Sequence, residues 1–267
     1  EWSDTALLDE NGQPEFVIAT GLDITERERA AEALRQTERL KNEFVSTVSH
    51  ELRTPLTSIR GSLGLLAGGV AGVLSDQGRA LLDIAIRNSD RLGRLVNDIL
   101  DIEKIESGRL VYAFRDLDLR GVLEQAIEAN RSYGEPLGVD FELGPVPEGA
   151  RIRADEDRLM QVLANLLSNA AKYSPRGEKV FIWAERREPL IRVSVRDHGA
   201  GIPEAFKGRI FQRFAQADSS DTKQKGGTGL GLAVSKAIVE GHHGTIDFEK
   251  AEGGGTVFYF EIPELAV

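Results

Sequence analysis

The chain has 267 residues, of which 41% are hydrophobic and 28% charged, and its formal net charge is -10. This length exceeds what one hydrophobic core usually serves, so we expect two principal domains. The acidic net charge argues against nucleic acid or an anionic membrane surface as a binding partner, because both bind basic protein surfaces. No cysteine is present, which excludes disulfides and thiolate metal sites and suits a reducing, cytoplasmic setting. No apolar run approaches the ~20 residues that a membrane span requires.

The first 22 residues predict a β-hairpin. Glu15–Thr20 is a short β-rich run, and Asp9–Gly12 supplies a turn. The following run, Gly21–Arg27, resembles the end of a PAS sensor domain, in which a similar Asp-Ile-Thr segment leads into a signalling helix. The alternative is a plain N-terminal hairpin that caps the helix.

Two long amphipathic helices follow. From Thr25 to about Leu66, apolar residues keep to one face. Gly68, Gly69 and Gly72 then interrupt the pattern, and Ser75 is a suitable N-cap for a second helix, which Gly108 ends. Each apolar stripe is wider than one partner helix can cover, so we expect two hairpins to form a dimeric four-helix bundle. A monomeric helical hairpin is the alternative.

The remaining chain, residues 109–267, mixes helices with alternating strands. Helical patterns occupy Leu119–Tyr133, Glu156–Tyr173 and Leu230–Glu240. Strand patterns occupy Arg109–Phe114, Val139–Leu143, Lys179–Glu185, Ile191–Arg196, Thr245–Glu249 and Thr256–Ile262. This mixture predicts an α/β sandwich, one sheet covered on one face by helices. The polar stretch Ala215–Gly227 predicts a long loop that could act as a lid.

The segment Ser49–Leu56 lies within the first helical stripe. His50 falls between two bundle-facing residues, and a neutral imidazole nitrogen is a good nucleophile near neutral pH. Pro55 cannot donate to the carbonyl of Glu51, so we expect a bend there. The segment resembles the phospho-acceptor box of histidine kinases at every position.

That resemblance implies a role for three residues of the segment. His50 takes a phosphoryl group on one ring nitrogen, and Glu51 holds or accepts the proton of the other. Thr54 lies one turn later and helps to orient a water that dephosphorylates the partner protein. The alternative for Thr54 is a helix residue that bonds its own backbone.

Five further segments follow in order: Asn165–Tyr173, Asp197–Ile202, Ile210–Phe214, Gly227–Leu232 and Gly253–Thr256. We name them the asparagine segment, the aspartate segment, the phenylalanine segment, the glycine loop and the second glycine run. Each alone has an ordinary explanation as a polar helix face, a turn, an aromatic anchor, a helix start or a hairpin turn.

The chemistry of these segments nevertheless suits a nucleotide. Asn165, Asn169 and Lys172 share one helix face, where an amide oxygen can bind Mg²⁺ and a lysine can reach phosphates. A buried Asp197 can accept a hydrogen bond from an adenine amino group, and glycines before a helix offer amides to phosphate.

Together the five segments resemble the N, G1, F, G2 and G3 boxes of the GHKL ATP-binding fold, and the whole resemblance spans about residues 25–263. It implies Asn169 as the Mg²⁺ ligand and Asp197 as the adenine reader. The other residues that it implies around ATP are Asn165, Lys172, Tyr173, Gly199, Gly201, Phe214, Gly227, Thr228, Gly229, Leu230 and Gly231.

The resemblance therefore implies a bacterial sensor histidine kinase core. The expected parts are a PAS remnant at residues 1–24, a signalling helix and dimerisation domain at 25–108, and an ATP-binding domain at 109–267. A homodimer would phosphorylate His50 and transfer the group to an aspartate of a response regulator receiver domain. The alternatives are a GHKL ATPase, which needs a carboxylate where Asn165 stands, and a catalytically inactive ATP-binding scaffold.

Overall fold

The structure is a computed structural model of the chain. It describes residues 2–8, 12–70, 72, 74–108, 110–216 and 228–265, and for some of these, including His50, it describes the backbone alone. The chain divides into two compact units, Glu1–Glu51 and Leu52–Val267. Each unit is described by itself below.

The first unit holds the expected hairpin and the start of a long helix. Strand β1 (Trp2–Leu8) pairs antiparallel with β2 (Pro14–Gly21), and most of the expected turn lies outside the described residues. Helix α1 (Thr25–Ala67) begins where the Thr25 amide donates to the Asp23 carboxylate at 2.9 Å. Such a side-chain acceptor satisfies an amide that has no partner within the helix.

The second unit begins with the helical hairpin. Helix α1 ends at Ala67, and α2 (Asp76–Glu106) starts at the predicted N-cap, Ser75, whose hydroxyl accepts from the Gly78 amide at 3.2 Å. The guanidinium of Arg53 in α1 donates to the side chain of Asn97, in the C-terminal half of α2, at 3.0 Å. Large apolar side chains on these helices remain exposed: Leu52, Ile59, Leu66, Leu81, Ile84, Leu92 and Ile99.

The rest of the second unit is the predicted α/β sandwich. Its helices are α3 (Leu119–Gly134), α4 (Glu156–Tyr173), the short α5 (Glu204–Lys207) and α6 (Gly231–Gly241). Its strands are β3 (Arg115–Asp118), β4 (Asp140–Leu143), β5 (Arg151–Ala154), β6 (Lys179–Arg187), β7 (Leu190–Arg196), β8 (Thr245–Lys250) and β9 (Thr256–Pro263).

The main sheet has the order β4-β6-β7-β9-β8, and β3 pairs with β5 in a separate two-stranded ladder. Only the β4–β6 pair is parallel among the described strands of the main sheet. Alternate residues of β6 and β7 are buried, including Ile182 and Val193, because successive side chains point to opposite faces. They share one core with helix residues such as Leu163 and Ile238.

One strand prediction was wrong. Arg109–Phe114 was expected to form a strand, but 110–114 has no strand structure and the first strand of this region begins at Arg115. The amide of Ala113 donates to the side chain of Asp155 at 2.8 Å instead of to a neighbouring strand. We call residues 110–114 the connector. The short strand β5, which contains two arginines, was not predicted.

The helices offer no candidate for a membrane span: within the described residues, none combines enough length with enough apolar character.

Candidate functional site

The acceptor segment lies in the middle of helix α1. The backbone of His50 is helical, and its side chain is outside the described part of the structure. Glu51 and Thr54 are exposed, and Pro55 lies within the same uninterrupted helix. Sequence reasoning gave Arg53 no role, whereas the structure joins it to Asn97 of α2.

The asparagine segment forms the last turns of helix α4. The Nδ2 group of Asn165 donates to the Ser235 hydroxyl of α6 at 2.8 Å, and Asn169 Nδ2 donates to Asn165 Oδ1 at 3.4 Å. The ammonium group of Lys172 lies 4.8 Å from the centre of the Tyr173 ring, which is 40% exposed. The last turns of this helix therefore present two linked amides, a cation and an accessible aromatic ring.

The aspartate segment supplies a buried carboxylate. Asp197 is 4% exposed, and its Oδ1 accepts from the amides of Gly199 at 2.8 Å and Thr256 at 3.1 Å. Burial raises the pKa of the Asp197 carboxyl above its ordinary value, although these two hydrogen bonds oppose the shift. A buried acceptor fixed in this way can distinguish a base that presents an amino group.

Glycines bring the aspartate segment against two other segments. A Cβ at Gly199 would lie 2.8 Å from the Tyr173 carbonyl oxygen, and the His198 amide donates to the Ser174 hydroxyl at 3.2 Å. A Cβ at Gly255 would overlap the Asp197 carbonyl, and its φ of +89° also favours glycine. The asparagine segment, the aspartate segment and the second glycine run therefore meet.

The glycine loop lies against the phenylalanine segment. Gly229 has φ +70°, and a Cβ there would lie 2.8 Å from the backbone carbon of Phe214, itself 66% exposed. The Leu230 side chain is fully buried, and its amide donates to the Thr228 hydroxyl at 3.1 Å. Residues 217–227 of the predicted loop, including the predicted ATP-binding residue Gly227, lie outside the described residues.

The first turn of α6 packs directly on α4. A Cβ at Gly231 would overlap Asn165 Oδ1 and would lie 2.8 Å from Asn165 Cγ. Gly201 has φ +79°. A Cβ built on it would lie 3.7 Å from its nearest neighbour, the carbonyl oxygen of Gly255. Within one compact unit, the structure thus brings together all five predicted segments insofar as it describes them.

The donor set is compatible with Mg²⁺. The described residues contain no group of three or more His, Cys, Asp or Glu side chains that could hold a metal. Mg²⁺ bound with a nucleotide takes most of its ligands from phosphates and water, and needs only one or two oxygens from protein. The amide of Asn169 beside Lys172 fits that pattern, whereas a dedicated metal cage is not found in the described part.

The structure adds one contact that sequence reasoning missed. The Thr228 hydroxyl donates to Asp98 Oδ2 of helix α2 at 3.1 Å. Three residues further along α2, Asp101 accepts from the Arg158 guanidinium at 3.1 Å and from Gln161 Nε2 at 2.7 Å. We call these five residues the docking patch, because they hold α2 against the glycine loop and α4. Burial raises the pKa of Asp98 above its ordinary value.

A second missed cluster anchors the connector. His242 is buried, and its Nε2 accepts from the Asp155 amide at 3.0 Å while Nδ1 donates to the Ile238 carbonyl at 2.8 Å. The rings of Tyr112 and Phe114 lie 5.1 and 5.2 Å from the His242 ring. Asp155 directly before helix α4 is of the residue type that favours an N-cap, but this signal does not indicate its distant partners.

Two family models match the chain. The model described as "Histidine kinase-, DNA gyrase B-, and HSP90-like ATPase" matches residues 154–266. The model described as "His Kinase A (phospho-acceptor) domain" matches residues 40–108. Sensor histidine kinase WalK of Bacillus subtilis is 36% identical over 95% of this chain and 40% of its own length. The chain spans 27%, 30% and 40% of the first three curated relatives, so it covers less than half of each.

Solved structures agree with these matches. Full-length ShkA in complex with AMPPNP has a TM-score of 0.69 and 30% identity, covering 84% of this chain and 46% of ShkA. The catalytic domain of histidine kinase ThkA has a TM-score of 0.50 and 33% identity, covering 57% of this chain and 95% of that one. ThkA in complex with response regulator protein TrrA has a TM-score of 0.59 and 29% identity, covering 99% of this chain and 75% of that one. The chain therefore belongs to the histidine kinases, with a phospho-acceptor domain followed by an ATPase domain of the type shared with DNA gyrase B and HSP90.

Proposed function

We propose that this chain is the catalytic core of a two-component sensor kinase. It uses Mg-ATP to phosphorylate His50 and transfers the phosphoryl group to an aspartate of a response regulator receiver domain. The observation that supports the proposal is that the five segments contact one another in a chain of neighbours, with the buried Asp197 among them, in a protein that also has a phospho-acceptor helix.

The nucleotide site has a proposed division of labour. Asp197 accepts from the adenine amino group, and Tyr173 covers the base or ribose. Lys172 and Thr228 approach the phosphates, as do backbone amides at the start of α6. Asn169 would hold Mg²⁺ through its amide oxygen, and the metal would supply charge neutralisation for the phosphates. The other glycines, Gly199, Gly201, Gly227, Gly229 and Gly231, and Leu230 and Phe214, shape this site.

At the acceptor, the imidazole of His50 attacks the γ-phosphorus and the bond to the β-phosphate oxygen breaks. Glu51 takes the proton from the other ring nitrogen, which keeps electron density on the attacking one. Positioning and charge neutralisation supply most of the catalysis in phosphoryl transfer. Thr54, exposed one helical turn after His50, orients the water that hydrolyses the phosphorylated partner.

The active assembly is proposed to be a homodimer. The exposed apolar residues of the helical hairpin support this, because Leu52, Ile59, Leu92 and Ile99 gain by burial against a second copy. The response regulator as partner is supported by ThkA, a similar protein whose structure includes one.

The N-terminal hairpin is proposed to be the end of a PAS sensor domain. Its second strand runs to Gly21, and helix α1 begins at Thr25 after the Asp-Ile-Thr sequence. The helix would then carry the signal from that domain into the acceptor segment. We propose that this core operates in the cytoplasm, where ATP is available.

A labelled-phosphate assay tests the proposal. The parent chain should acquire label from ATP that acid removes and base does not, as expected for phosphohistidine. His50→Gln should abolish the label and leave nucleotide affinity within about twofold, since His50 is not among the nucleotide segments. His243→Asn is a matched control, because His243 is exposed and has φ +60°, which asparagine tolerates.

Other outcomes would identify the alternatives. Acid-labile label that persists in His50→Gln would refute the acceptor assignment. Release of free phosphate without protein label would favour an ATPase, although Asn165 is an amide bonded to Ser235 and cannot serve as a general base. Nucleotide binding with neither label nor hydrolysis would identify an inactive scaffold.

A further inference from the structure

We propose that Ser235 is a positioning residue for the metal-nucleotide site: it fixes the Asn165 amide, which in turn orients Asn169 toward Mg²⁺. This inference rests on the proposed function and adds a residue of α6 that lies outside all five nucleotide segments. Ser235 is 1% exposed, so its hydroxyl meets protein groups rather than bulk water. The proposed role of Ser235 depends only on the hydrogen bond that its hydroxyl accepts from Asn165.

The first step concerns the orientation of one amide. Asn165 Nδ2 donates to the Ser235 hydroxyl at 2.8 Å. A primary amide has a donor end and an acceptor end, so while the Ser235 hydroxyl accepts from Asn165 Nδ2, Asn165 Oδ1 faces the other way. Oδ1 then accepts from Asn169 Nδ2 at 3.4 Å. If the amide of Asn165 were reversed, two NH₂ groups would face each other and this contact would be repulsive.

The second step concerns Asn169. Because its Nδ2 is directed at Asn165, its own Oδ1 is directed away from Asn165. An amide oxygen is a hard ligand of the kind that Mg²⁺ selects, and the NH₂ end cannot bind a cation. The orientation of Asn165 therefore decides which end of Asn169 is available to the metal.

The third step concerns the space around Asn165. A Cβ at Gly231 would overlap Asn165 Oδ1 and would lie 2.8 Å from Asn165 Nδ2. The amide is thus confined between the backbone of Gly231 and the side chain of Ser235, one helical turn further along α6. Helix α6 begins at Gly231, within the glycine loop. The contacts of Gly231 and Ser235 with Asn165 therefore also hold the end of that loop beside α4.

A bound metal depends strongly on such supporting contacts. Residues that orient metal ligands typically change metal affinity by about 10- to 100-fold when they are replaced. The contact here is indirect, and one of its hydrogen bonds is long, so we expect a change near the lower end of that range. Ser235→Val or Ser235→Ala should weaken Mg²⁺ binding to the nucleotide complex by roughly tenfold.

The experiment measures nucleotide binding to the whole chain by calorimetry, with ADP, first in excess chelator and then across a Mg²⁺ titration. The expected result is that Ser235→Ala and Ser235→Val keep the metal-free affinity for ADP and require roughly tenfold more Mg²⁺ for half-saturation. Ser235→Thr, which keeps the hydroxyl, should restore much of the parent's Mg²⁺ dependence.

A structural control separates positioning from stability. Val234 is the neighbouring residue of α6 and is 2% exposed, so Val234→Ala removes core packing without touching the Ser235 hydroxyl. It should lower the melting temperature while leaving the Mg²⁺ half-saturation near the parent's. A melting curve for each Ser235 variant identifies any that fails to fold, and Ser235→Ala, which adds no atoms, is the variant expected to fold.

Two failures are distinguishable. A parent chain that binds no ADP with or without Mg²⁺ overturns the proposed function itself. A parent that binds Mg-ADP while folded Ser235→Ala shows an unchanged Mg²⁺ half-saturation overturns the positioning role alone. Equal weakening of the metal-free and metal-dependent affinities would also overturn it, because Ser235 would then serve only the fold.

Discussion

The anchoring of the connector gives a prediction whose size can be worked out in advance. Asp155 accepts two backbone hydrogen bonds, from Arg158 at 3.1 Å as the N-cap of α4 and from Ala113 at 2.8 Å. Loss of an N-cap costs about 1 kcal/mol. Loss of the Ala113 bond adds about 1 kcal/mol, which is less than the roughly 1.5–3 kcal/mol typical of a charged acceptor, because Ala113 is exposed and its amide can turn to water.

Asp155→Ala should therefore lower the free energy of unfolding by about 2 kcal/mol. For a domain of this size each kcal/mol shifts the melting temperature by about 2–4 °C, so the fall should be roughly 4–8 °C. The assay is thermal unfolding of the whole chain, following the transition that Mg-ADP raises, because a bound ligand stabilises the domain that binds it. Tryptic cleavage at Arg109, beside the connector, should become faster in the same variant.

Two matched variants isolate the connector bond. Asp118 caps α3 by accepting from Gly121 at 2.9 Å, its one hydrogen-bond donor among the described residues, so Asp118→Ala should cost about 1 kcal/mol and leave cleavage at Arg109 unchanged. Asp155→Asn keeps one oxygen for the cap but turns an NH₂ group toward the Ala113 amide. If Asp155→Ala costs no more than Asp118→Ala and does not speed cleavage, the carboxylate does not hold the connector.

Three further predictions concern activity and pH. Thr54→Ala should retain autophosphorylation but lose most phosphatase activity toward the phosphorylated receiver, measured by release of label. Equal dephosphorylation rates for the variant and the parent would show that Thr54 has only a structural role. Asp98→Asn keeps an acceptor for Thr228 but removes a charge beside the glycine loop, so Mg-ATP should bind roughly three- to tenfold tighter by calorimetry, since two like unit charges repel by about 1 kcal/mol even at roughly 15 Å when the effective dielectric is near 20; unchanged affinity contradicts this. Burial holds the pKa of His242 below its ordinary value of 6.5, so the unfolded chain binds a proton that the folded chain does not. Stability at this site should be complete above that value and should fall as the pH drops from it toward the lowered pKa. His242→Gln should flatten this dependence of the free energy of unfolding in urea titrations from pH 8 down to about 5.

Local sequence patterns predicted the elements that have local causes. Helix α4 has the predicted bounds, Glu156–Tyr173, because its apolar stripe and its cap lie within the helix and one residue before it. Ser75 was likewise predicted as the N-cap of α2 and is one. The glycines that pack against Asn165 and Asp197 belong to the glycine-bearing segments that the sequence analysis singled out.

Long-range contacts could not be predicted in this way. The connector resembles a strand in composition, but its hydrogen bond goes to a side chain 42 residues away. The bond from Thr228 to Asp98 joins residues 130 positions apart, and no periodicity links them. Ser235 looks like a small helix residue until the structure sets it against Asn165, 70 positions earlier.

The docking patch has a geometric consequence for signalling. Asp98 and Asp101 are three residues apart on α2 and therefore share one side of the helix, one facing Thr228 and the other Arg158. An α-helix turns by about 100° per residue, so a rotation of α2 by one residue would carry both carboxylates out of contact together. Torsion applied to the helical hairpin would thus act on the Thr228 and Arg158 contacts at the same time.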